Sequence, residues 1–469
     1  MFEASVDSGQ ASHNTEEQLE QSIGELVSVD GGYGWVCALA IFLINAHTWG
    51  VSTSYSIFLT HYVETDSLVG ATTLNYAFIG GLQYSQAFMI APVALRLMAL
   101  CGMRTCLLTG VIVQTGSLIG ASFATHIWHL YLSQGIGFGW GVGLFLIGTQ
   151  NNISQWFSHR RSLAAGLAAA GTGAGGLLYS FVASFMIQST SIGWALRVLA
   201  IVSGTVNFIC SILIRDHNNQ VHAVYEAWNL KFLRNPFYLV LLVFAWTSML
   251  GEIIILTQIP NFGSLKLGLN GTQASVIGAM IAVGQILGRI CIGFLSDKLG
   301  RLNVASLVTF LAGLWSVVVW PQAHSYGVLI FFSICIGAFA GSFWAIVGPV
   351  STEVMGLQDL PTSLSMLFLA LVIPTTFSPV IGMQIVTSND GSYLGTQLFA
   401  GLMFIVSSIF CWIIRSWKAQ IINKMKSAGD IQYSVGIDSM RTGRQKAFFG
   451  NSDNFSSSFL SAFFSATKA

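Results

Sequence analysis

Charge is the scarcest thing in this sequence. Of 469 residues only 8% are Asp, Glu, Lys or Arg, against about 25% in an ordinary soluble domain, while 53% are hydrophobic. A water-soluble fold has nowhere to hide that much apolar surface. The net charge is +1 and no basic stripe with interleaved aromatics is present, so nothing electrostatic points to nucleic acid. The seven cysteines (Cys37, Cys101, Cys106, Cys210, Cys291, Cys335, Cys411) lack C-x-x-C spacing and fall in or beside apolar segments. They read as small buried hydrophobes, which argues against a zinc site or a disulfide framework. No H-E-x-x-H, G-x-S-x-G or phosphate loop occurs, so neither enzymatic chemistry nor a cofactor or metal is expected.

What fills the chain instead is long apolar segments, each meeting the ~20 residues that a membrane-spanning helix needs. Six run from Gly34 to Val63, Thr72 to Met98, Arg104 to Ala124, Trp128 to Asn152, Ser162 to Ile187 and Ile192 to Ile214. Six more run from Pro236 to Pro260, Thr272 to Ser296, Leu302 to Trp320, Tyr326 to Val350, Thr362 to Val386 and Tyr393 to Ile414. The expected fold is an all-α integral membrane protein of twelve transmembrane helices in two six-helix halves, 34–214 and 236–415. A polar linker, 215–235, joins them. The stretch 1–33 carries Glu16, Glu17, Glu20 and Glu25 with no basic n-region, so it reads as a disordered acidic tail and not as a cleavable signal. A second tail, 416–469, mixes basic residues with serines and phenylalanines.

Lysine and arginine in the short loops set the orientation. With the N-terminus inside, the cytoplasmic connections and the end of the last helix collect Arg96, Arg104, Arg160, Arg161, Arg215, Lys231, Arg234, Lys298, Arg301, Arg415, Lys418, Lys424 and Lys426, while the external loops hold only Lys266. Both tails are then cytoplasmic. The sequon at Asn270 falls outside, where glycosylation is allowed, whereas those at Asn152 and Asn454 fall inside. The plasma membrane is the expected location, and a vacuolar or other internal membrane fits the sequence as well.

Between the eighth and ninth apolar segments lies Gly293-Phe294-Leu295-Ser296-Asp297-Lys298-Leu299-Gly300-Arg301. Its form, G-x-x-x-D-[RK]-x-G-R, suits a tight turn between membrane helices: glycines for close approach, an acid near a helix end, basic groups at the headgroups. It resembles the cytoplasmic-loop motif of major facilitator transporters. A fainter echo, Gly102-Met103-Arg104, follows the second helix, as expected of a repeated half.

Three further stretches are similar to the monocarboxylate-transporter branch of that superfamily, and most to its fungal members. They are Asp30-Gly31-Gly32-Tyr33-Gly34-Trp35, the run from Arg160 and Arg161 to Gly171 in the pattern R-R-x-L-A-x-G-x-A-x-A-G, and Gly356 to Pro361 together with Ile373 to Phe377. The likeness covers about Asp30 to Lys418. Each stretch also has a physical reading. The small residues Gly166, Ala170, Gly171, Gly175 and Gly176 let helices approach closely. Arg160 and Arg161 sit at the membrane boundary, explained by topology and headgroups or by a gating ion pair. Asp30 is placed to cap the first helix.

The resemblance implies that Arg289, inside the eighth segment, holds a substrate carboxylate. A guanidinium can do so bidentately, and a fixed interhelical ion pair is the competing reading. The chain departs from the pattern one turn earlier, where Gln285 replaces an aspartate, and late in the first helix, where Thr53 aligns with a lysine. Glu252, a carboxylate within an apolar segment, is a candidate proton carrier or a water-exposed lining residue. It sits about 12 Å from the outer end of its expected helix, too shallow for a direct pair with Arg289. His47, beside Asn45 in the first helix, is either a second proton site or a hydrogen-bonded packing residue. Asn75, Gln83, Gln150, Tyr179, Asn207, Trp344 and Gln384 are candidate cavity liners, and Arg197 an entry-side cation or a snorkelling one.

Three functions fit. The first is a secondary active transporter of a small organic solute, a monocarboxylate moved with a proton. The second is an exporter or facilitator of a larger metabolite, flavin-like or secondary. The third is a nontransporting receptor.

Overall fold

In lipid a backbone must satisfy its own N–H and C=O groups, and each apolar stretch does so by folding as a helix. The computed structural model describes residues 30–65, 73–216 and 225–427. The expected acidic tail up to residue 29, part of the linker, the sequon at Asn454 and the tail beyond 427 lie outside the described residues.

The first half contains α1 (Tyr33–Tyr62), α4 (Ile127–Trp156), α5 (Arg161–Ser189) and α6 (Ile192–Leu213). Between α1 and α4, Thr73–Met89 passes through a turn into Ala91–Ala121, which Gly102 breaks at φ 81° and ψ 166°. The crossings there are α2 (73–101) and α3 (103–121). The second half contains α7 (Pro236–Leu267), α8 (Gly271–Leu299), α9 (Arg301–Gln322), α10 (Tyr326–Met355), α11 (Leu360–Ser388) and α12 (Leu394–Ser427). Gly300, after α8, adopts φ 98°, so the echo between the two loops is a shared backbone device that only glycine takes without strain.

Two helices are longer than the sequence suggested. Pro260 does not end α7, which runs on to a left-handed cap at Gly268. Helices in membranes tolerate proline where neighbours take up the freed carbonyl. The chain after Ile414 continues as helix to Ser427, so the expected tail begins as an extension of α12.

Helix α5 packs along α1 on one side and α8 on the other, and with α2 against α11 this joins the halves. Close approach explains the glycines: a Cβ on Gly166 would stand 2.2 Å from the Arg289 carbonyl, and one on Gly171 2.0 Å from that of Phe42. The apolar core is continuous across both halves at the end carrying the basic loops, where Phe88, Phe244, Val347 and Phe368 belong to one cluster. Toward the opposite end the second half has its own core, around Ile259, Ile281, Trp320 and Phe332. The halves are thus cemented at the basic end and separate toward the other.

Candidate functional site

Two helices break near the middle of the bundle. In α10, Ala340 ends one helical piece and Phe343 begins the next. The Ala345 amide donates to the Ser342 carbonyl at 3.0 Å, which leaves the Gly341 carbonyl without its usual helical donor. Arg289 of α8 supplies the donor: its Nε lies 2.8 Å from Gly341 O, and Nη1 lies 2.6 Å from Ala169 O of α5. Arg289 is 2% exposed and ties a broken helix of the second half to an intact helix of the first. A guanidinium carries five N–H donors, so these two bonds leave three. Gln285, one turn earlier and also buried, packs its side chain on Gly341, where a Cβ would meet Gln285 Cγ at 2.7 Å.

Glu252 faces this arrangement from α7. It is 2% exposed, and its Oε2 has no hydrogen-bond partner. The Arg289 guanidinium and the Trp344 indole are close enough to act on its carboxylate. Among the described residues, however, the ion pairs within 4.0 Å are those of Arg301 with Asp297 and Glu353, and of Lys418 with Glu353. Glu252 and Arg289 therefore feel one another across a gap. Because α7 continues past Pro260, Glu252 stands about 22 Å from that end of its helix, near the midplane and deeper than the sequence placed it.

The other break is in α1, at Thr48. Here the carbonyl of His47 accepts from Gln114 Nε2 of α3 at 2.7 Å, and Asn207 of α6 donates to Gln114 Oε1 at 3.1 Å. His47 Nδ1 is hydrogen-bonded to the Tyr179 hydroxyl. Asn45 donates to Ala168 O at 2.9 Å, and Thr53 turns its hydroxyl onto Gly50 O at 2.8 Å. The structure thus brings Arg289, Gln285 and Glu252 together, while Asn45 and His47 are engaged in joining α1 to α5. Thr53 is exposed, beside Gly176. Of the remaining polar candidates, Gln83 accepts from Ser52 at 3.0 Å, and Gln384 is exposed and donates to Ser388. Arg197 donates to Ser122 and stands 4.4 Å over the Phe123 ring. Tyr84 and Gln114 were not singled out by the sequence, since a lone tyrosine or amide in an apolar run carries no periodic signal.

At the basic end, Asp297 accepts from the Ser162 and Leu163 amides at 3.0 and 2.8 Å, capping α5 across the halves. Gly293 makes the approach possible, because a Cβ there would stand 2.5 Å from Ser162 O. Arg301 reaches Ser158 O at 2.5 Å and pairs with Glu353, which also holds Lys418 at 2.9 Å. Lys298 lies 4.2 Å over the Phe294 ring. Asp30 does not cap α1, whose N-cap has no side-chain bond. It accepts from the amides of Ser158, His159 and Arg160 instead, because those N–H groups at the start of α5 have no carbonyl of their own. Arg161 is not at the headgroups either: it is 5% exposed and donates to Phe157 O at 2.8 Å.

A profile of the Major Facilitator Superfamily matches residues 37–303 and again 241–466. The Saccharomyces cerevisiae protein named "Probable transporter MCH2" is 29% identical over 395 residues, covering 83% of each chain. The agnestins efflux protein AgnL12 of Paecilomyces divaricatus is 23% identical, covering 80% of this chain and 85% of its own. Among solved structures, the transporter FucP in its outward conformation superposes with TM-score 0.62 at 13% identity, over 80% of this chain and 98% of that one. The proton:xylose symporter XylE superposes with TM-score 0.63 at 15% identity, over 81% and 95%. Such identities speak for the fold alone, but the profile spans both halves. The chain belongs to the Major Facilitator Superfamily, a family of membrane transporters and not of enzymes.

Proposed function

We propose that this transporter moves a small organic monocarboxylate together with a proton, with the basic end of the bundle facing the cytoplasm. The observation that carries the reading is the gap between Arg289, with donors left over, and Glu252, with an unpartnered carboxylate oxygen. One positive and one negative group leave the centre neutral. A solute carboxylate settling on Arg289 would add a net negative charge to a low-dielectric interior, which costs several kcal/mol unless it is balanced. A proton on Glu252 supplies the balance, so the two cargoes bind together more readily than either alone. The Asp297, Arg301 and Glu353 contacts form the inner gate, with Asp30, Arg160 and Arg161 ordering the start of α5 beside it. Rocking of the halves would break the bonds of Asp297 to Ser162 and Leu163 and of Arg301 to Ser158, and expose the site to the other side.

A second reading, export of a larger metabolite, draws on Gln285 and Thr53 standing where the monocarboxylate branch carries charge, and on the efflux name of one relative. The test is uptake of labelled carboxylates, with riboflavin for comparison, into vesicles holding the purified chain, with and without an inward proton gradient. Gradient-driven carboxylate uptake that disappears in Arg289→Gln supports symport. Riboflavin flux without carboxylate flux would favour the exporter.

A further inference from the structure

A layer of aromatic rings crosses from one half to the other beside Glu252. Trp49 of α1 stacks on Tyr84 of α2 at 5.8 Å between centroids and lies 6.0 Å from Trp344 of α10. Trp344 in turn stacks on Phe88 of α2 at 5.8 Å and on Phe368 of α11 at 6.3 Å. Phe88, Phe368 and Trp49 are at most 9% exposed and serve as packing. Tyr84 and Trp344 differ: both are only half-buried, Tyr84 stacked on Trp49 of its own half and Trp344 set among Trp49 and Phe88 of the opposite half. Ring surface left open in the interior of a bundle is surface that something else can cover.

Those two open rings are also the ones that reach Glu252. Tyr84, Trp344 and Arg289 are all close enough to act on the Glu252 carboxylate, Arg289 from across the gap. By helix rise, Tyr84 and Glu252 lie about 25 Å above the basic end, and Trp344 and Arg289 about 15 Å above it. The ring layer therefore spans the depth between Arg289 and Glu252. Rings prefer offset stacking against other π faces, whereas a saturated body of equal size gains only its apolar area. A two- or three-carbon acid would leave both ring faces wet.

We propose that the solute is an aromatic monocarboxylate, its ring against Trp344 and Tyr84 and its carboxylate on Arg289. The ring half of this assignment stands on the aromatic layer, and the carboxylate half rests on the function proposed above. The test is uptake of labelled benzoate into vesicles holding the purified chain, competed by unlabelled cyclohexanecarboxylate, acetate and the neutral benzamide. Benzoate is expected to compete about tenfold better than cyclohexanecarboxylate, equivalent to about 1.4 kcal/mol. Trp344→Leu is expected to bring that ratio close to one. Equal competition by the saturated acid, or acetate uptake with none of benzoate, overturns ring recognition and leaves the carboxylate carrier standing. Competition by benzamide as strong as by benzoate, with no proton-driven uptake of any acid, overturns the carboxylate half and with it the function it rests on. The native protein alone decides among these outcomes, so the conclusion survives if the variant does not fold.

Discussion

The two broken helices expose the same kind of group and treat it differently. At the α1 break a neutral amide, Gln114, covers the His47 carbonyl and is itself held by Asn207, so the network closes within the first half. At the α10 break a charged side chain, Arg289, covers the Gly341 carbonyl, reaches across to the first half, and keeps donors in reserve beside an unpartnered carboxylate. Neutral closure makes a joint that holds its shape. Charged, incomplete closure in a dry interior makes a place where a ligand gains more than water would give it.

If this contrast is right, substitutions at the two breaks should fail in different ways. Arg289→Gln keeps a donor for a carbonyl but removes the charge, and should lower proton-driven uptake about 100-fold, as expected for loss of a buried charge-assisted pair. Uptake by Arg289→Gln within about threefold of the parent would erase the distinction. Glu252→Gln, a fixed mimic of the protonated acid, should still hold the solute but make uptake about tenfold lower under an inward gradient and nearly independent of external pH, because no proton then travels with the solute. A retained pH response would move the proton site elsewhere.

At the other break the expected damage is to stability. Gln114→Leu strands the His47 carbonyl and the Asn207 amide and should cost about 1–3 kcal/mol, seen as a lower melting temperature in detergent with an unchanged solute preference. A changed preference would show that this network also faces the solute. Asn207→Leu should cost less, about 1 kcal/mol, since its own Oδ1 already lacks a partner and Gln114 keeps its bond to His47.

Much of the fold was legible because the bilayer requires long uninterrupted apolar segments, and these stand out in a chain so poor in charge. Boundaries were less legible. Pro260 looked like an end to α7, but proline stops a helix only where its neighbours cannot take up the freed carbonyl, and those neighbours are tertiary. The extension of α12 was hidden because Lys418 makes the segment look polar, whereas its partner Glu353 lies on α10. At the site, Arg289, Gln285 and Glu252 stood out as polar groups in apolar runs and do meet. Asn45 and His47 stood out equally, and the structure engages them with Ala168 and Tyr179. A polar residue inside a membrane helix must find a partner, and from one chain alone that partner is as easily a neighbouring backbone as a solute.

The sequence by itself determined the membrane as solvent, the number of crossings, the glycines at 102 and 300 and the small supply of intramembrane charge, because each follows from local composition or from a backbone angle that only glycine adopts cheaply. Tertiary structure decided which of those charges are paired, that Asp30 and Asp297 both serve the start of α5, and that rings from four helices meet beside Glu252. Most of these contacts join residues on different helices, the longest spanning more than a hundred positions of the chain, and they are fixed by how the helices pack, which no local pattern encodes.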